Sequence, residues 1–104
     1  MNNFTIILPV YNDWHSLSIL LKQIEKSLKK MKNKFNLLLI NDGSTEKMSL
    51  KLKTKFYKKI VILNLKKNIG SQKAIATGLK YLTKNSPRNQ NHFIIMDSDG
   101  EDDP

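Results

Sequence analysis

The last nine residues of this chain, Met96-Asp97-Ser98-Asp99-Gly100-Glu101-Asp102-Asp103-Pro104, hold five of its nine acidic side chains and directly follow the apolar run Phe93-Ile94-Ile95. Two carboxylates one residue apart, where a buried strand opens into a loop, suit a divalent cation that also binds a diphosphate. Mg²⁺ and Mn²⁺ take hard oxygen donors in octahedral geometry, commonly one or two protein carboxylates with substrate phosphates and water. Asp97 and Asp99 are the candidate ligands, with Ser98 between them. The chemistry they point to is that of a nucleotide-sugar. A calcium loop of the EF-hand kind does not fit: counting from Asp97, the sixth position, which needs Gly, is Asp102, and the sequence reaches only the eighth. Taken alone, the cluster also fits a solvated acidic surface.

Other chemistries find less support. There is no cysteine, so no disulfide framework and no thiolate metal site. His15 and His92 have no partner at ligand spacing, which argues against zinc. Ser44 has no Gly-x-Ser-x-Gly elbow around it, and no Gly-x-x-x-x-Gly-Lys-Ser/Thr phosphate loop occurs.

The elements that would position these residues alternate in type. Phe4 to Val10 is a short apolar, β-branched run stopped by Pro9, as expected of a buried strand. Asn12-Asp13 follows as a helix N-cap pair. Trp14, Leu17, Leu21, Ile24, Leu28 and Met31 then recur at spacings of three and four, predicting an amphipathic helix of about five turns. Phe35 to Ile40 is a second strand, and Asn41-Asp42-Gly43-Ser44 turns the chain out of it. Met48 to Lys59 fits a short helix, with Leu52 and Phe56 one turn apart. Ile60 to Asn64 is a third strand and Lys67 to Ser71 a turn into a further helix. That helix presents Ala74, Ile75, Gly78, Leu79 and Leu82 on its inner face. A loop from Asn85 to Asn91 leads to the fourth strand, His92 to Met96. The order β-α-β-α-β-α-β predicts an α/β fold with a mostly parallel sheet, flanking helices and right-handed crossovers. With 104 residues, the expectation is a single domain.

Charge is unevenly distributed. Residues 1–96 carry 18 basic and four acidic side chains, against five acidic ones in residues 97–104. Such a basic body attracts anionic partners such as phosphorylated substrates, lipid headgroups or nucleic acid. Seventeen of the 18 cations are Lys, however, and bidentate recognition of phosphates and bases favours Arg, so nucleic acid is the least favoured of these partners. No secretory leader and no apolar run near the ~18 residues of a membrane span is evident, which makes the expected location cytoplasmic.

In open α/β sheets, ligands bind outside the carboxyl ends of the strands. Four polar segments fall there: Pro9 to Asp13, Asn41 to Thr45, Asn64 to Ser71 and Asp97 to Asp99. In this joint order the chain resembles the family 2 glycosyltransferases, which use the Rossmann-like GT-A nucleotide-diphospho-sugar fold. The matching residues are Leu8-Pro9-Val10-Tyr11-Asn12, Ile40-Asn41-Asp42-Gly43-Ser44, Asn68-Ile69-Gly70 with Ala74 and Gly78, and Asp97-Ser98-Asp99. Asn68 through Ala74, with Gly78-Leu79 and Asp97 through Pro104, is most similar to the branch of dolichyl- and polyprenyl-phosphate sugar transferases.

The resemblance implies that Pro9, Tyr11 and Asn12 line a nucleoside pocket and that Asp42 accepts hydrogen bonds from the base. It also implies that Asp97 and Asp99 face the ribose and the metal-bound diphosphate of a UDP- or GDP-sugar. Asp13, Asn68, Gly70, Lys73 and Ser98 complete the implied site, with Mg²⁺ or Mn²⁺ as cofactor. Asn12 offers no carboxylate where many members carry an acidic residue, though Asp13 is adjacent. An Ala-Arg-Asn run common in the wider family stands here as Ala74-Ile75-Ala76, so Lys73 or Lys67 would have to supply positive charge. The implied reaction is inverting transfer to an acceptor such as a polyprenyl phosphate or glycan, at the inner face of a membrane.

In the family the general base and acceptor pocket lie beyond the metal motif. The expectation for residues 1–104 is therefore a partial GT-A domain, truncated after its fourth strand, inactive alone, and either lacking a C-terminal half or forming a homodimer. Two other classes stay open: a non-catalytic nucleotide-binding module working with a partner chain, and a basic module docking on membrane or nucleic acid.

Overall fold

A computed structural model of the protein describes residues 3–30, 35–49, 51–52, 54–85 and 91–96. The elements are β1 (Asn3–Val10), α1 (Trp14–Leu28), β2 (Phe35–Asn41), a 3₁₀ turn (Thr54–Phe56), β3 (Tyr57–Asn64), α2 (Ser71–Asn85) and β4 (Asn91–Ile95). All four strands are parallel, in the order β3-β2-β1-β4. This is the expected α/β arrangement of a Rossmann-like fold.

The strand order carries a topological consequence. From β1 the chain moves outward through β2 to β3, then returns across β1 to lay down β4. Right-handed crossovers in opposite directions put their helices on opposite faces. One apolar cluster accordingly joins Trp14, Leu17, Leu21, Ile24 and Leu28 of α1 to Ile6, Leu8, Val10, Leu37 and Leu39. A second joins Ala74 of α2 to Ile7, Leu38 and Ile40, with Leu79 and Leu82 packed against it. Successive strand side chains alternate between these two layers, so β1 and β2 are buried on both faces and read as unbroken apolar runs. Gly78 lets α2 approach closely: a Cβ there would press on Ile40 and Leu38.

Three expectations need correction. Helix α1 has 15 residues, about four turns rather than five, and ends at Leu28 with Lys29 as its C-cap; Met31 lies outside the described residues. Among the described residues of the stretch from Met48 to Lys59, where a short helix is expected, only the 3₁₀ turn Thr54–Phe56 is helical. Leu52 and Phe56 pack against the α1-side cluster, and the strand begins at Tyr57 instead of Ile60. Tyr57 is drawn in by the buried Glu25 carboxylate, to which its hydroxyl donates at 3.0 Å.

Pro9, finally, does not stop β1, which runs on to Val10. Met96 N donates to Ile7 O, so the peptide groups of Ile7, and of Pro9 two residues later, face β4. Among the described residues β4 pairs as far as Ile95. The donor that Pro9 lacks is on that side of β1, while Val10 bonds toward β2 by accepting from Asp42 N at 2.8 Å.

Candidate functional site

β1, β2 and β3 end in register, and three of the four polar segments singled out in the sequence meet on this carboxyl edge. The fourth, Asp97-Ser98-Asp99, lies outside the described residues. It follows Met96, whose amide is bonded to Ile7 beside Pro9.

The first segment is a tight turn. Asp13 N donates to Tyr11 O at 2.7 Å, which places Asn12 at φ +58°, a left-handed angle that Asn tolerates better than most residues. Asp13 is then the helix N-cap, its Oδ1 accepting from Ser16 N at 3.1 Å. The Asn12 side chain turns to the neighbouring loop: its Oδ1 accepts from the amides of Thr45 and Glu46 at 2.8 and 2.9 Å, and its Nδ2 donates to Thr45 Oγ1 at 3.2 Å. Asn12 N donates to Ser44 Oγ at 2.9 Å. Tyr11 is left 47% exposed, so a ring face is open to solvent beside the end of β1. Pro9 is buried.

The second segment is tied to the third by Asp42, which is only 2% exposed. One carboxylate oxygen accepts from Ile69 N at 2.9 Å; the other accepts from Asn68 Nδ2 at 2.8 Å and Gly70 N at 3.0 Å. A carboxylate has about four acceptor positions, so roughly one is left for an outside donor. Gly70 is at φ +95° and its carbonyl accepts from Ala74 N at 2.9 Å, so the Asp42 knot fixes the chain where it enters α2. Gly43, at φ +69°, lies so close to the Lys67–Asn68 peptide that a Cβ would overlap its backbone. Lys67 and Lys73 extend into solvent on this edge.

Residues that sequence reasoning did not assign to the site brace it. Asn41 accepts from Ser44 N at 3.2 Å and donates to Asn64 Oδ1 at 3.0 Å. Trp14, expected to pack in the core, is 5% exposed and also donates its Nε1–H to Glu46 O at 3.0 Å. The signal available for Asn41, Ser44 and Asn64 was their position just past apolar strands, where short polar side chains hold turns.

The strand order also locates a topological switch point. The crossovers from β1 to β2 and from β2 to β3 run one way and the crossover from β3 to β4 runs the other, so the direction changes between β1 and β4, and open α/β sheets bind ligands at the carboxyl ends of the strands there. Among the described residues, no group of three or more His, Cys, Asp or Glu side chains gathers to hold a metal, and no helix is long and apolar enough to cross a membrane.

Comparison with known proteins gives this edge a context. The glycosyl transferase family 2 model matches residues 5–104. An uncharacterized glycosyltransferase of Synechocystis sp. is 30% identical over 103 residues, covering 96% of this chain and 30% of that protein. The uncharacterized glycosyltransferase YkcC of Bacillus subtilis is 25% identical over 103 residues, covering 97% of this chain and 30% of that protein. An undecaprenyl-phosphate 4-deoxy-4-formamido-L-arabinose transferase of Proteus mirabilis is 30% identical over 81 residues, covering 75% of this chain and 25% of that protein. The chain thus spans less than a third of the length of these relatives.

Proposed function

Since the chain belongs to glycosyl transferase family 2, we propose that its carboxyl edge is the donor site for a nucleoside-diphosphate sugar, in a transferase whose acceptor is a polyprenyl phosphate. The observation that carries this reading is the convergence of three polar segments on the carboxyl edge of a parallel sheet. The loops there are tied to one another by side-chain hydrogen bonds from Asn12, Asn41 and the buried Asp42.

In this proposal the half-exposed Tyr11 ring and the turn at Asn12 and Asp13 flank the nucleoside. Asp42 offers its remaining acceptor position to a base N–H and fixes the entry into α2. Asn68 and Gly70 hold the backbone that faces the phosphates. The amino end of α2 carries partial positive charge, and Lys73 and Lys67 add full charges that favour a diphosphate there. Asp97 and Asp99, with Ser98 between them, provide hard oxygen donors of the kind Mg²⁺ and Mn²⁺ accept. The metal would offset the charge developing on the departing nucleoside diphosphate. Inversion at the sugar further requires a base to take the acceptor proton. The relatives extend far beyond the stretch this chain matches, and that base is assigned to the part this chain does not match. The acceptor class follows from the name of the Proteus mirabilis relative and from the resemblance of the Asn68-to-Gly78 segment.

Calorimetric titration of UDP-glucose and GDP-mannose, with Mn²⁺ and with EDTA, tests the reading. Metal-dependent binding that disappears in an Asp97→Ala/Asp99→Ala variant is the expected result. A folded sample that binds neither nucleotide under either condition would sink it. Salt-sensitive binding to anionic vesicles or RNA that ignores Mn²⁺ and survives Asp99→Ala would instead favour a basic docking module.

A further inference from the structure

Cations are not spread evenly over the chain. Seven of its 17 lysines fall within residues 51–67, and no Asp or Glu interrupts them. Six of the seven are described and exposed, and they follow β3 along its whole length. Lys51 and Lys55 precede the strand, Lys58 and Lys59 lie near its start, and Lys66 and Lys67 stand just beyond its end. At ~3.3 Å per residue, the eight residues of β3 span about 26 Å, so the row reaches from the amino edge of the sheet to the carboxyl edge.

β3 is an outer strand, with β2 as its one neighbour among the described residues. Lysines and a bulge keep a sheet edge from pairing further, and Lys58 and Lys59, with the register slip between Phe35 and Asn36, meet that need. Lys51, Lys55, Lys66 and Lys67 lie outside the strand and are not accounted for in this way. Among the described acidic residues, Glu25 and Asp42 are buried, while Asp13 and Glu46 belong to the loops after β1 and β2. The β4 flank is built in the opposite sense: the strand carries neither Lys nor carboxylate and borders an apolar groove of about 330 Å³.

We propose that the β3 flank is a docking surface for an anionic lipid bilayer. Attraction to headgroups depends on local charge and asks for no fixed geometry, which suits flexible Lys; recognition of nucleic acid favours planar Arg, and none of these residues is Arg. Long lysine stems let side chains that leave both faces of a strand bring their ammonium groups to one plane. Met48, three residues before Lys51 and 41% exposed, adds an apolar side chain that can enter the headgroup layer. A protein lying on this flank holds its carboxyl edge, at Lys66 and Lys67, beside the bilayer. A lipid-linked phosphate would meet the donor site there, so the purpose of the docking rests on the acceptor class proposed above, whereas the docking itself needs neither nucleotide nor metal.

The test is co-sedimentation with vesicles of phosphatidylcholine alone and of phosphatidylcholine with roughly a third phosphatidylglycerol, in about 0.1 M salt without nucleotide or metal. Binding to the anionic vesicles should be about tenfold tighter or more, and should weaken as salt rises. Lys55→Gln/Lys58→Gln/Lys59→Gln should weaken it by about tenfold or more, and Lys22→Gln/Lys80→Gln/Lys84→Gln, which removes the same charge from α1 and α2, by less than about threefold. Both variants should keep the parent circular dichroism. Equal losses in the two variants would overturn the proposal, because net charge and not this flank would then be responsible. So would binding that does not distinguish the two kinds of vesicle. An oligouridine bound more tightly than the anionic vesicles, and released only by the β3 variant, would assign the flank to nucleic acid instead. Nucleotide titration of the same sample separates the two readings: vesicle binding without nucleotide binding keeps the docking surface and removes the donor site, and nucleotide binding without vesicle binding does the reverse.

Discussion

At the carboxyl ends of β1, β2 and β3, side chains cross from loop to loop, while among the described residues β4 is joined to β1 by the backbone ladder and by apolar packing. Asn12 reaches the Thr45–Glu46 turn, Trp14 reaches Glu46, Asn41 reaches Asn64, and Asp42 reaches three donors between Asn68 and Gly70. Beside β4 stand a proline without an N–H, an apolar groove and a half-exposed Ile95. The difference teaches how a small parallel sheet separates two tasks. Charge-assisted bonds to a buried carboxylate fix loops that would otherwise move, because an unpaired donor left inside costs more than the bond itself is worth. On the β4 flank the described contacts are the ladder to β1 and apolar packing of Phe93, Ile94 and Met96, with no side-chain hydrogen bond among them.

Breaking the braced side should have the largest effect. Gly43→Ala places a Cβ against the Lys67–Asn68 backbone at a positive φ, and urea unfolding should show a loss of about 3 kcal/mol. A loss below about 1 kcal/mol would mean that the two loops are free to separate. Asp42→Asn is next. It keeps the volume but turns one acceptor into a donor facing Asn68, Ile69 or Gly70, so a loss of about 2 kcal/mol is expected. Hydrogen exchange at Ile69 and Gly70 should rise with it; unchanged exchange there would show that the knot does not hold the entry to α2.

Tyr57→Phe sharpens the comparison from the amino edge, where Tyr57 and Glu25 form a buried pair at 3.0 Å. Removing the hydroxyl should cost about 1 kcal/mol at neutral pH. Burial first, and the Glu25 carboxylate second, push the Tyr57 hydroxyl well above the usual tyrosine range. The folded state therefore keeps a proton that the unfolded chain releases above about pH 10. The stability from this neutral tyrosine is complete below that pH and falls as pH rises further, since there the unfolded state binds fewer protons. Wild type should lose stability more steeply than Tyr57→Phe above pH 10; parallel profiles would remove Tyr57 from the account. The smallest effect belongs to the open flank: Ile95→Thr, half exposed and β-branched like its parent, should shift the urea midpoint by no more than about 0.5 kcal/mol equivalent.

Much of the architecture was legible in the sequence because apolar periodicity reports which faces are buried. The α1 positions Trp14, Leu17, Leu21, Ile24 and Leu28 are all in the core, and the small residues Ala74 and Gly78 do mark the face of α2 that meets the sheet. Glu25 was invisible to that reasoning, since a carboxylate is taken for a surface residue until its partner is known. Tyr57 is 32 positions away and comes to it only through the β2–β3 pairing. The same long-range pairing pulled Tyr57 to Lys59 into β3, overriding a local pattern that fits one helical turn.

The four strands, the two long helices, the family and the residue types at each strand end were legible from sequence alone, because hydrophobic spacing and turn chemistry are local properties. Which loops touch was decided by tertiary structure. Strand order put β4 beside β1 and so made the switch point, and it set Asp42 against Asn68 to Gly70 across 26 to 28 positions. No local signal encodes that contact, since it exists only once parallel pairing has brought the ends of β2 and β3 to the same edge of the sheet.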